Sequence, residues 1–294
     1  MSQAALGSTV PRRQLGRYLR DLRNASRLTV RAAARKLEWS EPKIWRVETG
    51  QTSMRSLDVK AMCETYGAPA HITEALMGLA KETKNKGWWH AYGEVIPEGF
   101  YVYFGLEEAA SRLSWYESEL IPGLLQTEDY ARALIRAGNP GVTDDEIEQR
   151  VHLRITRQVL RTRVTSPPTV DVALNEAIVR RPVGGHKVMA DQLRRLVDIG
   201  ERDNVSIKVV PFAAGLHHGL MSGPFVILRF ALDGDGPDTE PPTVYVEGLT
   251  GALYLDKPNE LERYSAVFST LWDSSLDDSD SKDIILQAAR ELET

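Results

Sequence analysis

Cysteine is almost missing: Cys63 is the single thiol in 294 residues. One thiol cannot build a disulfide framework, and it excludes a zinc site made of cysteines. No apolar run approaches the ~18–20 residues that a membrane-spanning helix needs. The opening stretch, MSQAALGSTVPRRQLGRYL, lacks the apolar core and cleavage site of a secretory leader. There is no phosphate loop, no dinucleotide-binding glycine fingerprint and no Ser/His/Asp signature. Together these absences point to a cytoplasmic protein that uses no cofactor or metal and is not an enzyme.

What is present is unevenly charged. The net charge of −5 conceals a basic head: residues 1–70 hold 13 Lys+Arg against 6 Asp+Glu, and the remainder 23 against 35. A basic segment on an acidic body suggests that the head meets an anionic partner. Residues 1–11 are small and polar and read as disordered. From residue 12 the apolar spacing predicts five short helices: around Leu15, Tyr18, Leu19 and Leu22, then over 28–40, 40–50, 56–67 and 70–85. Thr29, Ser40 and Ser56 are the expected N-caps, and Gly50 and Gly67 the stops. This predicts a compact all-α domain over 12–80. A linker or domain edge over 81–100 carries Trp88 and Trp89.

Residues 101–294 change texture and predict a mixed α+β or α/β domain. LSWYESELIPGLLQT reads as a strand running into a Pro-Gly turn, PPTVDVALNEAIV contains an apolar strand, and NVSIKVVPF, GPFVILRFAL, PTVYVEGL and GALYLD read as four strands, with helical segments around 127–138, 143–163, 186–202, 258–276 and 281–293.

In the head, Ala33 and Ala34 are small enough for two helices to cross, and Leu37, Ile44 and Val47 recur on one inner face. The cadence Leu28-Thr29, Ala33-Ala34, Leu37, Ser40, Ile44, Val47-Glu48, Gly50 resembles the lambda-repressor-like helix-turn-helix of the XRE regulators, over residues 12–68. The resemblance implies that the helix after Ser40 lies in the major groove and that Glu48 pairs with Arg23 as a structural brace. Two positions depart from the pattern: Val30 stands where glutamine is usual, and Glu38 where the turn glycine is usual. Glu38 must then adopt a left-handed or otherwise adapted turn.

The expected DNA contacts are Thr29, Arg31, Ser40, Glu41, Lys43, Trp45, Arg46 and Arg55. Arg31, Lys43 and Arg55 suit phosphates. Arg46 suits guanine O6 and N7, and Glu41 can accept from cytosine N4.

The whole chain, and PGLLQT-x-DYA (Pro122 to Ala131) in particular, resembles actinobacterial regulators of the WhiJ type, known from Streptomyces, which join an XRE head to a C-terminal domain of unknown function. That implies transcriptional control of development or antibiotic production, often beside a gene for a small partner protein; the expected assembly is a homodimer on double-stranded DNA, with a small-molecule effector or the small neighbour-encoded protein as partner of the body. An antitoxin-like, partner-sequestering module stands as the alternative. Trp115 and Tyr116, with Glu117, Gln126 and Thr127 as polar groups, line either a ligand or partner pocket or an ordinary core. His217-His218 reads as a solvent-facing turn, Arg180-Arg181 with its Gly-Gly pair as a turn, and the acidic run Asp277 to Asp283 as a linker that caps the last helix.

Overall fold

The computed structural model describes residues 9–82, 100–162, 167–231, 238–249 and 251–293. The chain divides into two units, 1–93 with 100–109, and 94–99 with 110–294. Trp88 and Trp89 lie outside the described residues. No helix among the described residues is long and apolar enough to cross a membrane.

The head contains α1 (Thr9–Ala25), α2 (Val30–Leu37), α3 (Glu41–Glu48), α4 (Ser56–Tyr66) and α5 (Ala70–Glu82), and α6 (Phe100–Ala109) packs with it against α1. Leu19, Ala33, Ile44, Val59, Met62 and Cys63 are fully buried. Each large apolar side chain so removed from water contributes about 1.5–3 kcal/mol. Leu37 and Leu22 pack against this core half-buried. Tyr18 does not: it is 46% exposed, because Leu15, Leu19 and Leu22 already complete the inward stripe of α1.

Glycine matters where α1 crosses α3. A Cβ at Gly16 would lie 2.4 Å from the Val47 carbonyl oxygen. Thr29 caps α2, its hydroxyl accepting from the Ala32 amide at 3.1 Å. Ser56 is not the cap of α4 as its sequence position suggests. It is the helix's first residue, Arg55 holds the cap position, and the Ser56 hydroxyl instead donates to the Met77 carbonyl of α5 at 3.1 Å.

The body follows as β1 (Arg112–Glu117), α7 (Glu128–Gly138), α8 (Asp144–Arg157), β2 (Thr169–Asn175), α9 (Glu176–Arg180), α10 (His186–Gly200), β3 (Val205–Val210), α11 (Gly219–Ser222), β4 (Phe225–Ala231), β5 (Asp238–Gly248), β6 (Gly251–Leu255), α12 (Pro258–Ser274) and α13 (Asp278–Glu291). The six strands form one mixed sheet in the order β3-β2-β1-β4-β5-β6. β1, β2 and β3 are parallel, and the helices between them supply the crossovers that parallel pairing requires. β4, β5 and β6 continue the sheet as antiparallel meanders.

One sheet face presents Tyr116, Ala173, Phe225, Ile227 and Val244 to α12, which answers with Leu261, Tyr264, Phe268 and Leu271. On the outer edge of β3, Val209 is tied to the start of α13 and the segment before it. The Val209 amide donates to Ser281 Oγ at 3.0 Å, and its carbonyl accepts from the Leu276 amide at 2.8 Å. Edge groups that are paired cannot template a foreign strand.

Candidate nucleic-acid interface

The interface is built on α2 and α3. α2 ends because Glu38 takes the left-handed conformation, φ 56° and ψ 37°, which lets the Trp39 amide bond the Ala34 carbonyl at 2.8 Å. The turn is thus made with the glutamate that replaces glycine. Ser40 then occupies the N-cap position of α3 in extended conformation, and its carbonyl accepts the first helical bond from Lys43 at 3.0 Å. Its hydroxyl makes no capping bond. Pro42 sits in the first turn, where its missing N–H deprives no partner and its fixed φ suits the helix. Glu41 lies at the same end, where the helix dipole favours a carboxylate.

The short α3 has two sharply different sides. Ile44, Val47 and Glu48 are buried. At 3.6 residues per turn, Pro42, Arg46 and Thr49 point directly away from them, and Glu41 with Trp45 forms the flank. All five are exposed, Trp45 by 53%. The helix is fixed from beneath: Arg23 Nε and Nη2 donate to the two Glu48 carboxylate oxygens at 2.7 and 2.8 Å, while Nη1 donates to the Leu28 carbonyl at 2.8 Å. The hydrogen bonds to Glu48 raise the Arg23 pKa above its ordinary value. Glu48 is therefore engaged beneath the helix, out of reach of a base.

The cations divide by environment. Arg31 is exposed on α2 and free to meet a phosphate. Arg35, one turn further along α2 and equally exposed, escaped the sequence reading, although its i+4 spacing from Arg31 was a signal for it. Arg55 is 81% exposed and only loosely paired with Asp58, at 3.8 Å. Lys43 has a further contact: its ammonium sits 3.4 Å from the centre of the Trp39 ring, a cation–π interaction beside the turn.

Two family patterns match the chain. That of a helix-turn-helix domain covers residues 14–76, which spans α2, the Glu38 turn and α3. That of a domain of unknown function, DUF5753, covers residues 100–287, well over half of the chain. The chain belongs to the DUF5753 family. No curated protein and no solved structure matches it.

The DUF5753 domain separates the residues expected to share a pocket. Trp115 and Tyr116 are neighbours on β1 and so face opposite sides of the sheet. Trp115 joins Glu117, its indole N–H donating to Oε1 at 3.1 Å. Tyr116 is fully buried on the other face, against Phe225 and His217. Gln126 and Thr127 hold the PGLLQT turn. Gln126 Nε2 donates to the Ile121 carbonyl at 2.7 Å, its Oε1 accepts from Arg154 at 2.9 Å, and Thr127 caps α7. These five do not line one cavity; Gln126 and Thr127 serve the fold.

His217 is not a solvent-facing imidazole either. It is half-buried against the Tyr116 ring, and burial lowers its pKa. Arg180 and Arg181 are engaged by Glu176, Glu291 and Glu119. Asp277 caps α13 through the Asp280 amide at 2.8 Å. Among the described residues no group of three His, Cys, Asp or Glu side chains lies together as a metal site.

Proposed function

We propose that this chain is a sequence-specific transcriptional regulator that binds double-stranded DNA through α3, with its DUF5753 domain serving dimerisation and the sensing of an effector or partner. The observation that carries the reading is the two-sided α3: Arg46 is held outward on a helix whose inner side is locked by the Arg23–Glu48 pair. In this reading the protein is cytoplasmic and without catalytic activity. It acts as a homodimer on half-sites about 34–36 Å apart, within the XRE type and the WhiJ-like actinobacterial group. Arg46 reads guanine, Trp45 offers an apolar face to a thymine methyl, and Glu41 accepts from cytosine N4 and repels a misplaced phosphate. Arg31 and Arg55 neutralise phosphates.

The test is binding to a DNA site selected by the full-length protein from a random pool, beside binding to unselected DNA. Arg46→Ala is expected to cost about 1–3 kcal/mol at the selected site and far less on unselected DNA. Glu41→Gln is expected to strengthen unselected binding while lowering discrimination. Equal losses on both DNAs for Arg46→Ala would remove it from base readout.

A second reading, an antitoxin-like module that captures a small protein, draws on the loop between β3 and β4. There Phe212, Leu216, Leu220 and Met221 are all more than half exposed, an unusual density of apolar side chains on a surface. Co-purification with a small neighbour-encoded protein favours it, and nanomolar operator binding by the protein alone counts against it.

A further inference from the structure

The packing between the sheet and α12 is apolar over most of its length and then becomes hollow and polar. Toward the start of β1 the same sheet face carries Arg112, Ser114 and Asp171 instead of aliphatic groups. The register sets Asp171, Ser114 and Ile227 side by side across β2, β1 and β4, with Arg112 beside Arg229. Opposite them, Ser265, Phe268, Ser269 and Trp272 follow i, i+3, i+4, i+7 and so form one stripe of α12. A cavity of about 360 Å³ separates the two surfaces, within the range of small-molecule sites.

The polar groups around this cavity are arranged and incompletely used. Asp171 is only 7% exposed. One of its carboxylate oxygens accepts from Arg112 Nε at 2.8 Å, and the other has no hydrogen-bond partner among the described residues. The same holds for the hydroxyls of Ser114, Ser265 and Ser269, which line the void. The cavity opens to solvent past the exposed Arg229, Ser269 and Asp273, so water can serve these groups until a ligand with matching hydrogen bonds replaces it. The aromatic wall is also ordered: Phe268 and Trp272 stack with centroids 5.6 Å apart and planes at 25°, and Lys208 Nζ sits 4.8 Å from the Trp272 ring centre.

We propose that this cavity is a ligand site of the DUF5753 domain and takes a small planar heteroaromatic molecule with a donor–acceptor edge. The ring packs against Phe268 and Trp272 where they line the cavity. Its donor meets the second Asp171 oxygen, its acceptor faces the Arg112 guanidinium, and the serine hydroxyls adapt to either sense. A plain aromatic satisfies the wall alone; an aliphatic acid would answer Arg112 and Arg229 but leave the wall unused and set its charge against Asp171 and Asp273. An aminopurine-like edge, with an amino donor beside a ring acceptor, satisfies both. That occupancy shifts DNA affinity, making the ligand an effector, rests on the reading of the head as a DNA-binding domain.

The experiment uses the full chain with guanosine and 2-aminopurine riboside as probes and indole as the control that stacks without a hydrogen-bonding edge. Binding is followed by ligand-observed NMR and by tryptophan fluorescence, with Trp272→Phe assigning the optical signal. At least one riboside is expected to bind about tenfold or more tighter than indole, as hydrogen bonds to a charged group warrant. Ser269→Trp, which fills the cavity from an exposed helix position, is expected to abolish that binding while melting and DNA affinity stay at the wild-type value. No riboside binding at about 1 mM, or binding indifferent to Ser269→Trp, overturns the site. DNA affinity is measured separately with and without the bound riboside. An unchanged affinity overturns the effector role, whereas a protein that binds no DNA at all refutes the reading of the head and leaves the ligand result standing by itself.

Discussion

Replacement of Glu48 by alanine tests the brace beneath the recognition helix. Glu48 and Arg23 have side chains only 5% and 10% exposed, and their two mutual hydrogen bonds are 2.7 and 2.8 Å. Removing the carboxylate leaves a guanidinium in the head's core with two donors unanswered. Breaking a buried pair from one side costs about 3–5 kcal/mol, mostly the penalty of the stranded charge. A whole domain has about 5–15 kcal/mol to lose, so Glu48→Ala is expected to leave the head marginal. The double variant Arg23→Met/Glu48→Leu removes both charges and is expected to fall within about 1–2 kcal/mol of wild type, the remainder reflecting the Leu28 carbonyl that loses its donor. The head and body need not unfold together. Hydrogen exchange resolved to peptides of α1–α3, with body peptides as internal reference, is therefore the appropriate assay. A cost below about 1 kcal/mol for Glu48→Ala, or a double variant as damaged as the sum of the two single variants, would refute the reasoning: the pair would then be a bystander, and the angle of α3 would be set by Gly16 and the apolar contacts alone.

Two further substitutions probe features of single residues. Burial pushes the Glu117 carboxyl from its ordinary 4.5 up to about 8; Glu247 and Glu119 add to the rise, and the Trp115 N–H opposes it. The folded state thus holds a proton that the unfolded chain has released between about pH 4.5 and pH 8. Stability of the body falls as pH rises through that window and levels off above it. Glu117→Gln mimics the protonated form and is expected to flatten this fall, so its melting temperature should pull ahead of wild type progressively from pH 5 to pH 8; parallel curves would show that Glu117 ionises freely. In the head, Glu38→Gly is expected to stabilise by up to about 1 kcal/mol, because a side chain at φ 56° carries a strain of about 1–2 kcal/mol that glycine avoids at some entropic cost. A loss of stability by thermal melting would mean that the Glu38 side chain contributes to the turn.

The difference between the legible and the hidden parts of this protein is one of range. The helix-turn-helix is written in spacings of three and four residues, and Ala33, Ile44 and Val47 carry it without help from the rest of the chain. Helix α6 escaped because FYVYFGLEEA is apolar on every side at its start and so lacks the stripe by which a helix is recognised. The six strands were legible one by one. Their order was not: β3 and β4 follow each other in sequence yet stand with β2 and β1 between them. Trp115 and Tyr116 mark the same limit at the smallest scale, since adjacent residues suggest a shared pocket in any listing of the chain and stand on opposite faces in a strand.

The cavity under α12 shows how such a site can still leave a trace. Arg112, Ser114 and Asp171 alternate on strand positions that face a helix, and Ser265 and the exposed Ser269 line the flank of that helix beside them. Either set alone is what a solvated face looks like, because polar residues at every second or every fourth position are common on exposed strands and helices. The sheet register and the stripe of α12 bring the two sets face to face. Two polar surfaces opposed across a layer that elsewhere is packed with Phe225, Val244 and Leu271 form a cleft with polar walls on both sides. That opposition turns an unremarkable composition into a site with a stated chemistry.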